Sequence, residues 1–144
     1  MRKCYLDANL LFYWQDPESP FNEAATDIIK RLVESEYFLF TSSLILDEYL
    51  YTCLKFSGKP KSDMKSSLKL SLRKIFKLPH LQLINPTLDE KKHLGVIDLI
   101  VRYNLRPRDA YHVFIMRENK MKFIATFDTD FEKVFARGVV KHFV

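Results

Sequence analysis

Short apolar runs alternate with longer segments of helical periodicity along this whole chain. The apolar runs, which indicate strands, are residues 3–6, 37–40, 81–84, 123–125 and 139–140. The segments that indicate helices are residues 21–36, 42–58, 62–78, 87–104, 107–117 and 131–135. A strand that is followed by a helix and then by another strand favours parallel pairing, with helices on the faces of the sheet. The pattern predicts an α/β fold of three layers, α/β/α, with a mostly parallel central sheet of about five strands.

The size and composition of the chain favour a single domain over residues 1–144. Its 47% hydrophobic content is enough for a packed core. No apolar run approaches the roughly 18–20 residues that are needed to span a bilayer. The chain reaches an acid at Asp7 before any long apolar stretch, so no signal peptide is predicted. We expect a cytoplasmic protein without a membrane partner.

An acidic residue stands near the end of an apolar run in four separate segments. Asp7 and Asp128 follow predicted strands, whereas Glu48 and Asp109 lie in the first two turns of predicted helices. Each acid alone has a structural explanation, because acids are common in turns and at helix starts. Their recurrence favours a shared site, since ligands of parallel sheets bind outside the carboxyl ends of the strands. A hard cation such as Mg²⁺ would compensate clustered carboxylates.

Some positions in these segments remain ambiguous from the sequence alone. Asp47 and Glu48 point about 100° apart on a helix, so only one can face a site, and the neighbouring apolar stripe favours Glu48. Asp130 is either a further ligand, acting through water, or the N-cap of the last short helix. Asn9 and Thr126 are either polar supports of the site or ordinary turn and cap residues.

The four acidic segments resemble those of the PIN-domain ribonucleases, over nearly the whole chain. The first acid opens Asp7-Ala8-Asn9, and the second lies in the helix after the second strand. Residues 105–112, Leu-Arg-Pro-Arg-Asp-Ala-Tyr-His, resemble the family pattern L-x-P-R-D-A-x-H. Residues 126–131, Thr-Phe-Asp-Thr-Asp-Phe, resemble T-x-D-x-D-F. The small size is similar to that of the VapC-type toxins, which a cognate antitoxin holds inactive.

The resemblance implies a metal-dependent endoribonuclease that hydrolyses RNA phosphodiesters with Mg²⁺ or Mn²⁺. The implied catalytic acids are Asp7, Glu48, Asp109 and Asp128. The implied metal ligands are Asp7, Asp109, Asp128 and Asp130. The implied partners are RNA, a cognate antitoxin and a second copy of the chain in a homodimer. A housekeeping RNA-processing nuclease, or a PIN module that binds RNA or a partner without cutting, are the alternatives.

Basic side chains supply candidate RNA contacts outside the acidic site. The net charge is +5, and basic residues recur every four positions from Lys61 to Lys77, which places them on one helix face. The candidates for phosphate contacts are Lys65, Lys69, Arg73, Arg106 and Arg108. Such contacts give affinity and a steep dependence on salt. The alternative for the helix is an ordinary solvated face.

Aromatic and histidine residues are predicted to serve mainly the interior. The N-terminal residues 10–14 are dense enough in aromatic side chains for some to form a partner surface. Tyr49 and Tyr51 follow on the next helix, and most of these aromatic residues are expected in the core. His112 lies one helical turn after Asp109; a packed or capping role is expected for it, and the alternative is that it supports a carboxylate of the site. No histidine has zinc-site spacing.

Overall fold

Five short strands form one entirely parallel sheet. The computed structural model describes residues 1–144. The strands are β1 (Lys3–Leu6), β2 (Phe38–Ser42), β3 (Leu81–Ile84), β4 (Phe123–Ala125) and β5 (Lys141–His142). Their order in the sheet is β3-β2-β1-β4-β5, and every neighbouring pair is parallel. The predicted parallel sheet of about five strands is confirmed.

Seven helices cover the two faces of the sheet. They are α1 (Ala8–Gln15), α2 (Asn22–Glu34), α3 (Ser43–Ser57), α4 (Lys61–Phe76), α5 (Glu90–Tyr103), α6 (Pro107–Glu118) and α7 (Glu132–Ala136). The chain adds β2 and β3 on one side of β1, and then β4 and β5 on the other side. Right-handed crossovers therefore place α1–α4 on one face and α5–α7 on the opposite face. Contacts of α1 with α2 and α3, of α3 with α4, and of α5 with α6 agree with this arrangement.

The central strand β1 is buried over nearly its whole length. Cys4, Tyr5 and Leu6 have no exposed surface. A strand that is covered on both faces needs a continuous apolar run rather than an alternating one, and β1 has such a run. No helix combines the length and the hydrophobicity that a membrane span requires.

Helix α1 was not predicted, because the first helix that the sequence indicated was residues 21–36. The Oδ1 atom of Asp7 accepts a hydrogen bond from the backbone N–H of Ala8 at 2.8 Å, so Asp7 is the N-cap of a helix that starts at once. An N-cap carboxylate satisfies a backbone donor that the helix itself leaves unpaired. The aromatic-rich residues 10–14 therefore lie within α1.

Two further boundaries correct the predictions. The helix that was predicted over residues 87–104 begins later, at Glu90, and its N-cap is Asp89, which accepts a hydrogen bond from the N–H of Lys91. The last strand is Lys141–His142 rather than 139–140, since the backbone N–H of Val139 bonds back to the carbonyl of Val134 in α7. A 3-10 turn, Thr129–Phe131, precedes α7 in place of one continuous short helix.

The topology defines where a ligand can bind. The direction of strand addition reverses at β1, which lies between β2 and β4. In parallel α/β sheets a crevice opens outside the carboxyl ends of the strands at such a point. Asp7 directly follows β1, and Thr126 directly follows β4. Both therefore lie at the mouth of this crevice.

Candidate active site

Asp7 is a buried carboxylate whose two oxygens are both held by hydrogen bonds. Its backbone N–H donates to the carbonyl of Ala125 at 3.1 Å and so extends the pairing of β1 with β4. Its Oδ1 accepts from the N–H of Ala8, and its Oδ2 accepts from the hydroxyl of Thr126 at 2.5 Å. Burial raises the pKa of the Asp7 carboxyl, and the hydrogen bond from Thr126 acts against that rise.

Glu48 is held by a chain of buried hydrogen bonds. Its Oε2 lies 3.3 Å from His112 Nε2, His112 Nδ1 lies 3.0 Å from the Tyr5 hydroxyl, and that hydroxyl lies 2.6 Å from Ser42 Oγ. An ionised carboxylate can only accept, so Nε2 carries a hydrogen and, in the neutral ring, Nδ1 accepts from Tyr5. Ser42 then donates to Tyr5 while its Oγ accepts from the backbone N–H of Ile45 and caps α3.

A second group of acids, Asp109, Asp128 and Asp130, has carboxylate oxygens that all lie within 4.8 Å of one another. Pro107 begins α6 and places Asp109 in its first turn. Asp128 is the N-cap of the 3-10 turn and accepts from the N–H of Asp130 at 2.9 Å. The predicted alternative in which Asp130 caps the short helix is therefore wrong.

No ion pair relieves the electrostatic repulsion within the second group. Burial, and then the charge of Asp128, raise the pKa of the Asp109 carboxyl to about 6, and Asp130 and Asp7 add to the rise. None of the ion pairs of the molecule involves Asp109, Asp128 or Asp130. The three acids lie together at the mouth of the crevice, and no ion pair compensates their negative charge.

The acids line two adjoining cavities. A cleft of about 590 Å³ is lined by Asp7, Glu48, Asp128 and Arg108, and on its other side by aromatic residues of α1 and α3. A smaller cavity of about 300 Å³ is lined by residues that include Asp109 and Asp130. The acids of both groups are thus accessible from outside despite the burial of Asp7 and Asp109.

Of the two adjacent acids on α3, Glu48 lines the cleft and Asp47 does not. The side chain of Glu48 is 18% exposed, and that of Asp47 is 71% exposed. Arg108 Nε lies 3.2 Å from Glu48 Oε1, and Arg108 Nη2 lies 3.8 Å from Asp47 Oδ2. The guanidinium is half exposed and therefore retains donors that can bind an anion in the cleft.

Asn9 and Thr126 connect α1 to the loop after β4. Thr126 donates to Asp7, and its Oγ1 also accepts from the N–H of Asp128 at 2.9 Å. Asn9 Oδ1 accepts from the N–H of Phe127 at 3.1 Å. These contacts fix the position of Asp128 relative to Asp7.

The predicted RNA contacts fall in two places. Arg108 lines the cleft, and Arg106 lines the smaller cavity. The other three, Lys65, Lys69 and Arg73, are exposed on α4 and line neither cavity. The structure thus brings the two arginines of the residue 105–112 segment to the acids, and leaves the lysine-rich helix face apart from them.

The contact of His112 with Glu48 was not predicted from the sequence. His112 is 1% exposed and lies on the same face of α6 as Asp109, one turn further on. The spacing from Asp109 was the only indication in the sequence that His112 belongs to the site. Tyr5, which bonds His112, and Ser42, which bonds Tyr5, come from distant segments.

Residues 4–136 match the sequence pattern of the PIN domain. The chain belongs to the PIN-domain family. Its fold is similar to that of VapC20 of Mycobacterium tuberculosis, a sarcin-ricin loop cleaving toxin, with a TM-score of 0.67, 16% identity and coverage of 91% of this chain and 94% of that chain.

Further solved structures are also similar in fold to this chain. VapBC2 of Rickettsia felis, bound to a DNA fragment from its promoter, has a TM-score of 0.68 and 13% identity, with coverage of 97% of this chain and 96% of that chain. FitAcB of Neisseria gonorrhoeae has a TM-score of 0.66 and 19% identity, with coverage of 98% and 96%. At these identities the similarity establishes the fold. No curated protein is similar enough in sequence to this PIN domain to count as a match.

The donors of this PIN domain suit a hard divalent cation. All the acids offer carboxylate oxygens, which Mg²⁺ and Mn²⁺ prefer. The only nearby nitrogen donor, His112, has both ring nitrogens engaged by Glu48 and Tyr5. The uncompensated charge of Asp109, Asp128 and Asp130 is the feature that a bound cation would neutralise.

Proposed function

We propose that this PIN domain is a metal-dependent endoribonuclease that hydrolyses RNA phosphodiesters. The observation that carries the proposal is the convergence of five acids, from four separate segments, on one crevice at the carboxyl edge of the sheet. A purely structural role would leave such acids paired with lysine or arginine, and four of the five, all except Glu48, have no such pair.

In this proposal Asp7, Asp109, Asp128 and Asp130 hold Mg²⁺ or Mn²⁺. A divalent cation, when bound, lowers the pKa of a coordinated water and neutralises charge on the phosphate. Thr126 keeps Asp7 in the orientation that ligation requires, through the hydrogen bond to Oδ2. The ligand set would therefore be formed by the ends of β1 and β4, the first turn of α6 and the 3-10 turn.

Glu48 and Arg108 act on the other side of the cleft. His112 fixes the Glu48 carboxylate, which would orient the attacking water and accept its proton. Arg108 would bind a non-bridging phosphate oxygen, because its guanidinium is exposed in the cleft and donates in a planar fork. Arg106 would contact the next phosphate from the smaller cavity.

Cleavage of a mixed RNA pool by the purified chain tests the proposal. We expect cleavage in Mn²⁺ or Mg²⁺ that EDTA stops. Asp7→Asn and Asp109→Asn should each lower the rate at least about a hundredfold, by analogy with the loss of a group that stabilises the transition state. Asp98→Asn, which changes an exposed acid on α5, is the matched control and should cut like the wild type. Cleavage that persists in the Asp7→Asn/Asp109→Asn double variant would disprove the assignment of the site.

We further propose that the nuclease is the toxin of a VapBC-type pair, held inactive by a cognate antitoxin. The similarity in fold to a VapC toxin and to VapBC2 and FitAcB supports this proposal. Expression should arrest growth, and co-expression of a neighbouring antitoxin gene should restore it. Normal growth with an active enzyme would favour the second candidate, a housekeeping RNA-processing nuclease.

A homodimer is part of the same proposal. Leu94, Ile97 and Val101 form an apolar stripe on α5 and are 71%, 58% and 77% exposed. Residues at this spacing share one helix face, and an exposed apolar stripe is typical of a helix that packs against a partner. Sedimentation analysis should give a dimer for the wild type and a monomer for Ile97→Glu. An unchanged mass would remove α5 from the interface.

A further inference from the structure

Two aromatic side chains of the proposed catalytic cleft are largely exposed. Tyr51 is 65% exposed and Phe56 is 70% exposed, although most of the aromatic residues lie in the core or pack against it. Both residues line the same 590 Å³ cleft as Asp7 and Glu48. Exposure of large aromatic rings in a concave site loses the hydrophobic stabilisation that burial would give, so their position needs an explanation other than folding.

The geometry of α3 places the two rings one after the other along the helix axis, beyond the Glu48 carboxylate. Tyr51 follows Glu48 by three residues and Phe56 follows it by eight, so the two side chains leave the helix about 60° to one side and about 80° to the other side of Glu48. With a rise of 1.5 Å per residue, Tyr51 lies about 4–5 Å and Phe56 about 12 Å from Glu48 along the helix axis. The two rings lead away from the acids along the cleft.

Basic side chains lie beside these two aromatic residues. The Nζ atom of Lys55 lies 5.7 Å from the centre of the Phe56 ring, and Arg108 lines the cleft beside Glu48. Phe56 is supported from within the protein by Phe12, at a ring distance of 5.9 Å and an angle of 44°. Aromatic platforms with basic side chains beside them are the arrangement that binds the bases and phosphates of single-stranded nucleic acids.

We infer that Tyr51 and Phe56 stack on two unpaired bases of the RNA, on one side of the phosphate that the acids cleave. The inference rests on the proposed ribonuclease function and makes it more specific. Bases that stack on protein rings must leave their own helix, so the substrate is single-stranded, or is opened, at the cleavage site. The cleft therefore selects RNA by its local structure, and α3 provides both a catalytic acid and the binding platform.

Binding of one short RNA in single-stranded and duplex form tests this inference. Fluorescence anisotropy is measured with a labelled single strand in Ca²⁺, which takes oxygen ligands as Mg²⁺ does, and gels establish that the RNA stays intact. Loss of one stacked base typically weakens binding about five- to hundredfold. We expect losses of this size for Tyr51→Leu and for Phe56→Leu with the single strand, and no change with the duplex.

Two controls separate stacking from general effects on the fold. Tyr51→Phe retains the ring and should bind like the wild type, which excludes a role for the hydroxyl. Phe76→Leu changes another exposed aromatic residue, which lies on α4 outside the cleft, and should also have no effect. Wild-type affinity in both Tyr51→Leu and Phe56→Leu would overturn the inference and would favour a protein segment as the partner of these rings.

Cleavage of the same RNA in Mn²⁺ distinguishes the failure of this inference from the failure of the proposed function. Metal-dependent cleavage with unchanged affinity of the leucine variants would overturn the stacking role alone. A loss of affinity in those variants, without any cleavage by the wild type, would overturn the nuclease function and support a domain that binds single-stranded RNA.

Discussion

The two groups of acids in the cleft are held in opposite ways. Asp7 and Glu48 receive hydrogen bonds from Thr126 and His112, and the chain of contacts continues into the core through Tyr5. Asp109, Asp128 and Asp130 face one another without a basic partner. The first group is thus oriented by the protein itself, whereas the second group is complete only when a cation neutralises it.

This difference separates stability from function within one site. Changes to the network around the first group should destabilise the fold, because buried donors and acceptors would lose their partners. Changes within the second group should relieve repulsion in the absence of metal. The following predictions test this contrast, from the largest expected effect to the smallest.

Tyr5→Phe should lower the free energy of unfolding by about 1–3 kcal/mol, since it leaves His112 Nδ1 and Ser42 Oγ without their buried partner. Urea unfolding measures this change. Tyr37→Phe is the matched control, because Tyr37 is also buried but its hydroxyl bonds no other residue. Equal stability of the two variants would show that the network around Glu48 does not support the fold.

The metal-free protein should lose stability as the pH rises from about 4 to about 6. The pKa of Asp109 is about 6 in the folded protein against an ordinary value of 3.8, so the folded state holds a proton that the unfolded state has released. Stability is therefore greatest below the ordinary pKa and decreases through the folded pKa. One pKa unit corresponds to about 1.4 kcal/mol, and because water reaches this carboxyl we expect a change of about 1–2 kcal/mol.

Urea unfolding in EDTA at pH 4.5 and pH 7 measures this dependence. Asp109→Asn should flatten the difference between the two pH values, and Asp98→Asn should leave it as in the wild type. An equally steep dependence in Asp109→Asn would mean that another group, such as Asp7, carries the effect.

Reversal of Lys65, Lys69 and Arg73 to glutamate should have the smallest effect, because these residues line neither cavity. If α4 follows the RNA backbone, the slope of log affinity against log salt should flatten by about 2 at most. The control reverses three exposed basic residues between the end of α6 and the start of β4, Arg117, Lys120 and Lys122. An unchanged slope for the α4 variant would remove that helix from the RNA site.

The parts of the site that the sequence predicts are those that lie within single segments. Asp7 and Asp128 follow apolar runs, and in a parallel sheet the ends of β1 and β4 must meet at one edge. Pro107 likewise indicates the start of α6 and so places Asp109 in its first turn. Local patterns were therefore sufficient for the acids and for the class of fold.

The parts that the sequence does not predict depend on contacts between distant segments. His112, Tyr5 and Ser42 are brought together only by the packing of α6 on β1 and β2, which no spacing encodes. Helix α1 was missed because Asp7 is both its N-cap and a site residue, and the aromatic run after it has no clear polar face. Tyr51 occupies an apolar stripe of α3, and only the structure shows that this stripe extends beyond the core into the cleft.

Thermal unfolding with and without Mn²⁺ tests most directly whether a cation completes the second group of acids. A ligand at about 100 times its Kd stabilises a folded protein by about 2.7 kcal/mol, which corresponds to a rise in Tm of roughly 5–10 °C for a domain of this size. We predict such a rise for the wild type and for Asp98→Asn, and none for an Asp109→Asn/Asp128→Asn variant. An unchanged Tm of the wild type in saturating Mn²⁺ and Mg²⁺ would contradict a preformed metal site.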